Sequence, residues 1–276
     1  MKIAYFGFDF FSACLEKLIG NGHDVCLIFT AAMDGQYDTN ERVLDLARDN
    51  CIEVRHDPVS GEDMKDLHER GVELIVSAAY PYKIPDWQTC SRWALNIHPT
   101  LLPEGRGPWP LPRIILDGYQ ESGISFHEIS SKFDCGPVIF QSHFALDCNE
   151  TLESLSAKSQ MVAFDSILYV IDNIDRLWPL RIEQRGGSYW CMPSEYDRTI
   201  DFSMTIDRAK RQVRAFSKFE TFVSIEGVKY FVRDIDAWKA DHNYEIGKIV
   251  LKGGREILIS AADGFILLKS FERAWW

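Results

Sequence analysis

The chain opens on a short strand-like segment, residues 2–6, apolar from Ile3 onward and closed by Gly7. Apolar residues without polar alternation over that length read as a parallel strand buried on both faces. Asp9 or Ser12 is placed to cap a helix running to Ile19, and Asn21-Gly22 is placed to end it. Residues 24–30, centred on the run VCLIF, predict a second strand. A helix near 62–69 precedes a third strand at 73–78, and a fourth at 93–97 leads into His98-Pro99. Strands that alternate with helices in this way predict an α/β domain: a doubly wound, Rossmann-like sheet, parallel or mixed.

Further on, 124–128 and 138–144 predict an antiparallel pair joined through 129–137. Leu152, Leu155, Val162, Ile167, Ile171 and Ile174 then recur near helical spacing, with Thr151 as N-cap and Glu150 and Glu153 at the positive end of the helix dipole. The pattern changes after Pro179. Residues 181–192 read as a linker centred on Gly186-Gly187, and 205–216 as a helix. From Phe222 onward come short strands with turns at Glu226-Gly227, Gly253-Gly254 and Asp263-Gly264. The expected organisation is a larger domain over 1–180, a linker over 181–204, and a small β-rich, OB-like barrel over 205–276.

Composition narrows the function classes. With 276 residues and 46% hydrophobic content, the chain can bury a sizeable core. Its net charge of −11 opposes polyphosphate partners at long range, so nucleic acid is not the favoured ligand. Seven cysteines, an odd number with no CxxC pair, argue against a disulfide framework or a zinc ribbon and suit a reducing cytoplasm. Asp9 interrupts the first apolar stretch, which makes a poor signal peptide, and no apolar run is long enough to span a membrane.

The chemistry concentrates in residues 96–108, at the carboxyl end of a predicted parallel strand, where open α/β sheets place their ligands. Asn96 and His98 alternate, so in an extended segment both side chains point the same way. Pro99 stiffens the chain after them, and Gly105 and Gly107 flank Arg106, which admits close backbone approach. Downstream, Asp134 sits two residues before Gly136 in a turn from which a carboxylate can reach back to the histidine. Taken alone, a His-Pro at a strand end reads as a capped turn with a buried imidazole. Asn96, the Arg-Gly loop and the later Asp-x-Gly together outweigh that reading.

The series Asn96-Ile97-His98-Pro99-Thr100-Leu101-Leu102-Pro103, then Arg106-Gly107, Gly123-Ile124-Ser125-Phe126-His127 and Asp134-Cys135-Gly136-Pro137-Val138 resembles the formyltransferases that use N10-formyltetrahydrofolate. The similarity extends to the first seven residues, to 77–85, and to 199–203 and 214–216. What it implies is transfer of a one-carbon formyl group to a primary amine. Asn96, His98 and Asp134 would be the catalytic trio. Ala79, Tyr80, Pro81, Ile84, Pro85, Leu101, Arg106, Gly107 and His127 would lie at the folate. No metal is implied, because the folate already activates the carbonyl. In this chemistry Asn96 and a protonated His98 donate to the oxyanion, while Asp134 orients His98 and favours its charged form. His127 has an alternative reading as a residue packed under the sheet, and Arg106 one as a surface residue. Phe8, Phe10, Tyr189 and Trp190 are candidates for acceptor contacts.

The acceptor is weighed on charge. The tRNA members of this family carry a basic insertion after the second strand. Here the corresponding stretch, 31–50, holds Arg42 and Arg48 against Asp34, Asp38, Glu41, Asp45 and Asp49. A small amino sugar, activated or nucleotide-linked, is therefore the favoured partner. Methionyl-tRNA, a carrier-bound amino acid, and a degenerate homologue that binds folate or nucleotide without turnover stand as alternatives. The edge of the terminal β module offers a strand for pairing across a two-fold axis, so a homodimer is one arrangement the sequence allows.

Overall fold

The computed structural model describes residues 1–33, 39–216 and 221–274, which fall into two compact units. The first comprises 1–108, 122–144 and 157–190; the second comprises 109–121, 145–156 and 191–276. Asp34 and Asp38 of the acidic stretch, and the terminal Trp275-Trp276 pair, lie outside the described residues.

The first unit is built on a seven-stranded sheet in the order β3-β2-β1-β4-β5-β6-β7. Its strands are β1 (Lys2–Gly7), β2 (Asp24–Phe29), β3 (Glu53–Arg55), β4 (Leu74–Ala78), β5 (Trp93–His98), β6 (Glu121–Glu128) and β7 (Val138–Ala145). Strands β1 to β5 pair in parallel, and β6 joins β5 antiparallel. Between β6 and β7, Glu128 N–H donates to the Pro137 carbonyl at 2.9 Å, and Gly123 lies against Ser142, so this pair is antiparallel as expected. The sheet is thus Rossmann-like and mixed. Helices α1 (Ser12–Gly20), α2 (Glu41–Asp49) and α3 (Gly61–Glu69) connect the early strands. The β1 and β2 residues are almost all buried, and one core cluster packs on each face of the sheet.

Asp9 and Ser12 do not cap α1. Ser12 is already helical, and Asp9 Oδ1 accepts the N–H of Val43, satisfying the open start of α2 from another segment. The α2 helix lies within the acidic stretch 31–50, and β3 follows where no strand was expected.

In the second unit α4 (Leu111–Asp117), which the sequence reading lacked, ends at Gly118 with φ +71. The long helix α5 (Leu152–Asp172) starts at Thr151, whose hydroxyl accepts Ser154 N–H at 3.2 Å; only its first turns belong to this unit, the rest and α6 (Ile174–Leu177) falling in the first. The stretch read as a linker divides. Residues through Trp190 cluster with the first unit, and those from Cys191 with the second. Then come α7 (Glu195–Arg198), β8 (Thr199–Ile200) and α8 (Ile206–Phe216). Arginines of α8 bind carbonyls: Arg208 and Arg211 that of Leu116, Arg214 those of Cys148 and Glu150. The β module contains β9 (Thr221–Ile225), β10 (Val228–Lys239), β11 (Ile249–Lys252), β12 (Ile257–Ala261) and β13 (Gly264–Arg273). Together with β8 these five form one six-stranded sheet in the order β11-β12-β13-β10-β9-β8. Strand β10 pairs β9 on one edge over 228–232 and β13 on the other over 230–239, with two register shifts in the β13 pairing after Val232. Among the described residues no helix is long and apolar enough to cross a membrane.

Candidate active site

Strands β5 and β6 set the site by register. Asn96 stands opposite His127, and His98 opposite Ser125. The two-residue period of a strand places these four polar side chains on one face and Leu95, Ile97, Ile124 and Phe126 on the other, inside the core. The pairing with an antiparallel β6 therefore completes the site that β5 begins.

Asp134 reaches the cluster from the β6–β7 link. Its backbone is left-handed, φ +55, a conformation that Asp tolerates better than most residues. One carboxylate oxygen accepts the Gly107 N–H at 2.9 Å. The other lies 3.4 Å from His98 Nδ1 and 3.5 Å from His127 Nε2. The far nitrogen of His98, Nε2, is 2.8 Å from the Gly105 carbonyl. A carbonyl can only accept, so Nε2 carries a hydrogen and Nδ1 faces the carboxylate. By the same rule His127 Nδ1 donates to the Glu128 carbonyl at 2.9 Å, which leaves Nε2 to accept from the Asn96 amide at 3.1 Å.

Burial pushes the His98 imidazole below its ordinary range; Asp134 and the bond to Gly105 act the other way without overcoming it. Asp134 favours the charged form of His98, as expected, but burial is the larger influence. Burial would also raise Asp134, yet His98, His127 and the Gly107 N–H outweigh it and hold the carboxyl down at about 2.

Two sets of supporting contacts were not visible in the sequence. Ser125 Oγ donates to the Thr100 carbonyl at 2.6 Å and accepts from Leu102 N at 3.0 Å and from Gln141 at 2.8 Å, which pins the chain just after His98. Segment 182–190 lies along the 103–107 loop. Ser188 Oγ accepts Gly105 N–H, Trp190 N–H donates to the Arg106 carbonyl, and the Arg106 guanidinium binds Gln184 and the Gly186 carbonyl at 2.9 Å each. Gly107 was expected to admit a ligand. The close approach is instead by Trp190, whose carbonyl oxygen would lie 2.1 Å from a Cβ at Gly107. The signal for Ser125 was its position two residues before His127 on the same strand face; nothing in the sequence marked Gln184.

The remaining candidates separate. Ala79, just past β4, has φ +64 and is exposed, as are Pro81 and Pro85. Tyr80 and Ile84 are buried, and the Tyr80 hydroxyl accepts the Val59 N–H. Leu101 packs against Gly123. Arg106, expected at the folate, is turned to Gln184 and Gly186. Phe8 is buried, and Phe10 is half-buried, packed on the core beside Phe11. Tyr189 is exposed on the 182–190 segment and Trp190 half-buried.

Formyl transferase matches residues 1–171, and Formyl transferase, C-terminal domain, matches residues 194–274. The chain belongs to the formyl transferase family. It is a one-carbon formyl transferase enzyme. Among relatives of this formyl transferase, a methionyl-tRNA formyltransferase of Anaplasma marginale is 27% identical over 276 residues, covering 97% of this chain and 89% of that protein. Two solved structures share its fold. An N-formyltransferase of Helicobacter canadensis, in complex with folinic acid and dTDP-3-aminofucose, matches with a TM-score of 0.73 at 20% identity, over 98% of this chain and 99% of that one. HypX of Aquifex aeolicus, in complex with tetrahydrofolic acid, matches with a TM-score of 0.69 at 17% identity, over 100% of this chain. The formyl transferase spans 44% of the HypX chain.

Proposed function

We propose that this formyl transferase moves the formyl group of N10-formyltetrahydrofolate onto the primary amine of a small amino sugar, activated or carried on a nucleotide. The observation that carries the chemistry is the meeting of Asn96, His98 and Asp134 at one end of β5, within hydrogen-bond and ion-pair reach of one another or of His127. The amine nitrogen attacks the formyl carbon, and the carbonyl oxygen becomes an oxyanion in a tetrahedral intermediate. The bond from carbon to folate N10 then breaks, the amine nitrogen gives up a proton and N10 gains one. Asn96, half-buried at the edge of the cluster, supplies an amide N–H for the oxyanion. Loss of one such donor raises a barrier by about 2.7–4 kcal/mol. His98 carries the proton and Asp134 holds His98 in place. The exposed backbone at Ala79, Pro81 and Pro85, backed by buried Tyr80 and Ile84, would form the wall for the pterin.

Charge supports the small acceptor. The two arginines of 31–50 are already paired, Arg42 with Glu16 and Arg48 with Asp45, which leaves little to hold a phosphate backbone. The Helicobacter structure, with its nucleotide-linked amino sugar, agrees. The Anaplasma relative favours a second reading, methionyl-tRNA as acceptor. One assay separates them: purified protein, N10-formyltetrahydrofolate and a panel of nucleotide-linked amino sugars beside initiator methionyl-tRNA, followed by release of tetrahydrofolate. Turnover with a sugar is expected. Turnover with the tRNA alone would overturn the acceptor, and parent rates in His98→Ala would overturn the chemistry.

A further inference from the structure

We infer that Gln184 is a positioning residue of the transfer reaction, acting through Asp134 and His98; this rests on the reading of those two as the proton-handling pair. Nothing in its sequence surroundings marks Gln184, which falls in a stretch that reads as linker. Yet its amide spends every strong hydrogen-bonding capacity but one lone pair on the two loops that hold His98. Oε1 accepts from Arg106 Nε at 2.9 Å, while Nε2 donates to the carbonyls of Asp134 at 2.8 Å and Gly136 at 2.7 Å.

The consequence for His98 follows from where its partners sit. The Gly105 carbonyl, which receives Nε2–H, directly precedes Arg106. The Gly107 N–H, which holds one oxygen of Asp134, directly follows it. The other oxygen of Asp134, which faces His98 Nδ1, hangs from the left-handed backbone whose own carbonyl Gln184 binds. Holding a non-glycine residue in that conformation costs about 1–3 kcal/mol unless the surroundings supply compensation. Gln184 supplies part of it, and through Arg106 it ties the 105–107 loop to the 134–136 turn. Both ring nitrogens of His98 therefore meet atoms whose spacing one side chain helps to fix.

The groups that face His98 are Asp134 and His127. If the Asp134 turn relaxes, His98 loses the carboxylate beside it and keeps its burial, so its titration should move further down. The test uses Gln184→Met, which keeps the length and removes all three bonds. Gln184→Glu is its companion; it keeps the acceptor for Arg106 and sets an oxygen against the two carbonyls. Each is compared with the parent by NMR titration of the His98 ring and by kcat and KM for N10-formyltetrahydrofolate. The expected result is a downward move of the His98 midpoint by roughly half a unit or more. A fall in kcat of about tenfold to a hundredfold should accompany it, with KM for the folate changed by less than about threefold. A His98 titration superimposable on the parent's in both variants overturns the proposal, and so does a parent-like kcat. His98→Gln, run alongside, keeps the two ideas apart. An active His98→Gln removes the underlying reading, whereas an inactive one with parent-like Gln184 variants removes only the role of Gln184.

Discussion

Replacing Asp134 by Asn removes the charge and keeps the size. The carboxyl stands at about 2 against an ordinary value of 3.8, because burial, which would raise it, is outweighed by His98, His127 and the Gly107 N–H. At roughly 1.4 kcal/mol per unit, the fold favours the ionised group by about 2–3 kcal/mol. A depressed carboxyl contributes this stability above its unfolded value and loses it as pH falls through the folded one. His98, lowered from an ordinary 6.5 by burial, acts in the same direction: its contribution is complete above the unfolded value and lost as pH falls through the folded one. In Asp134→Asn the imidazole has no carboxylate beside it, so protonating it costs the variant more than the parent. The stability difference between parent and variant should therefore widen as pH falls below the 6.5 of a free imidazole, then close below about pH 4 as Asp134 itself takes a proton. Urea unfolding followed by tryptophan fluorescence at each pH measures it. A difference that stays flat across that range would refute the coupling between the two groups.

Three further outcomes follow from the same geometry. The acid limb of kcat/KM should lie below the 6.5 of a free imidazole, since the neutral ring takes the proton and burial favours that form; an acid limb above that value in a pH–rate profile would contradict it. Gly136→Ala places a Cβ 1.8 Å from the Glu128 carbonyl oxygen, and it should cost about 2–4 kcal/mol and most of the turnover by moving the Asp134 turn; an unchanged thermal melting point would show that the turn can shift freely. Acceptor affinity should fall with salt along a log–log slope no steeper than about −2, as for a small charged ligand, and a slope of roughly −5 or steeper in binding titrations would point to a nucleic acid.

The parts of this protein that follow from local pattern were legible, and the parts that follow from register or packing were not. Strands β1, β2, β4 and β5 announced themselves as apolar runs because both of their faces are buried. Asn96 and His98 were readable by the same strand periodicity, and Asp134 by its turn. Strand β3 has three residues, none of them buried, so no apolar run marked it. The α2 helix was hidden by its acidic face, although Val43, Leu46 and Ala47 are buried beneath it. Pairing decided His127: only the antiparallel register of β6 on β5 sets it opposite Asn96. Segment 182–190 looked like a linker because Gly186 and Gly187 are what a linker would use. Here Gly187 serves contact instead, since a Cβ there would lie 2.1 Å from the Pro103 carbonyl oxygen.

The hydrogen-bond pattern bears on where the transferred proton rests under the proposed chemistry. In its neutral form His98 keeps Nε2–H on the Gly105 carbonyl and turns the Nδ1 lone pair toward an anionic oxygen 3.4 Å away. That is a poor contact electrostatically, and it improves when a proton arrives between the two groups. Asp134 at about 2 is too acidic to keep that proton, so it settles on the imidazole. The buried pair thus gains attraction at the moment the attacking amine becomes positive, and loses it when the proton passes to N10. Burial of His98 and depression of Asp134 are two halves of one arrangement: the first keeps the base free beforehand, and the second keeps the charge beside it that the protonated ring needs.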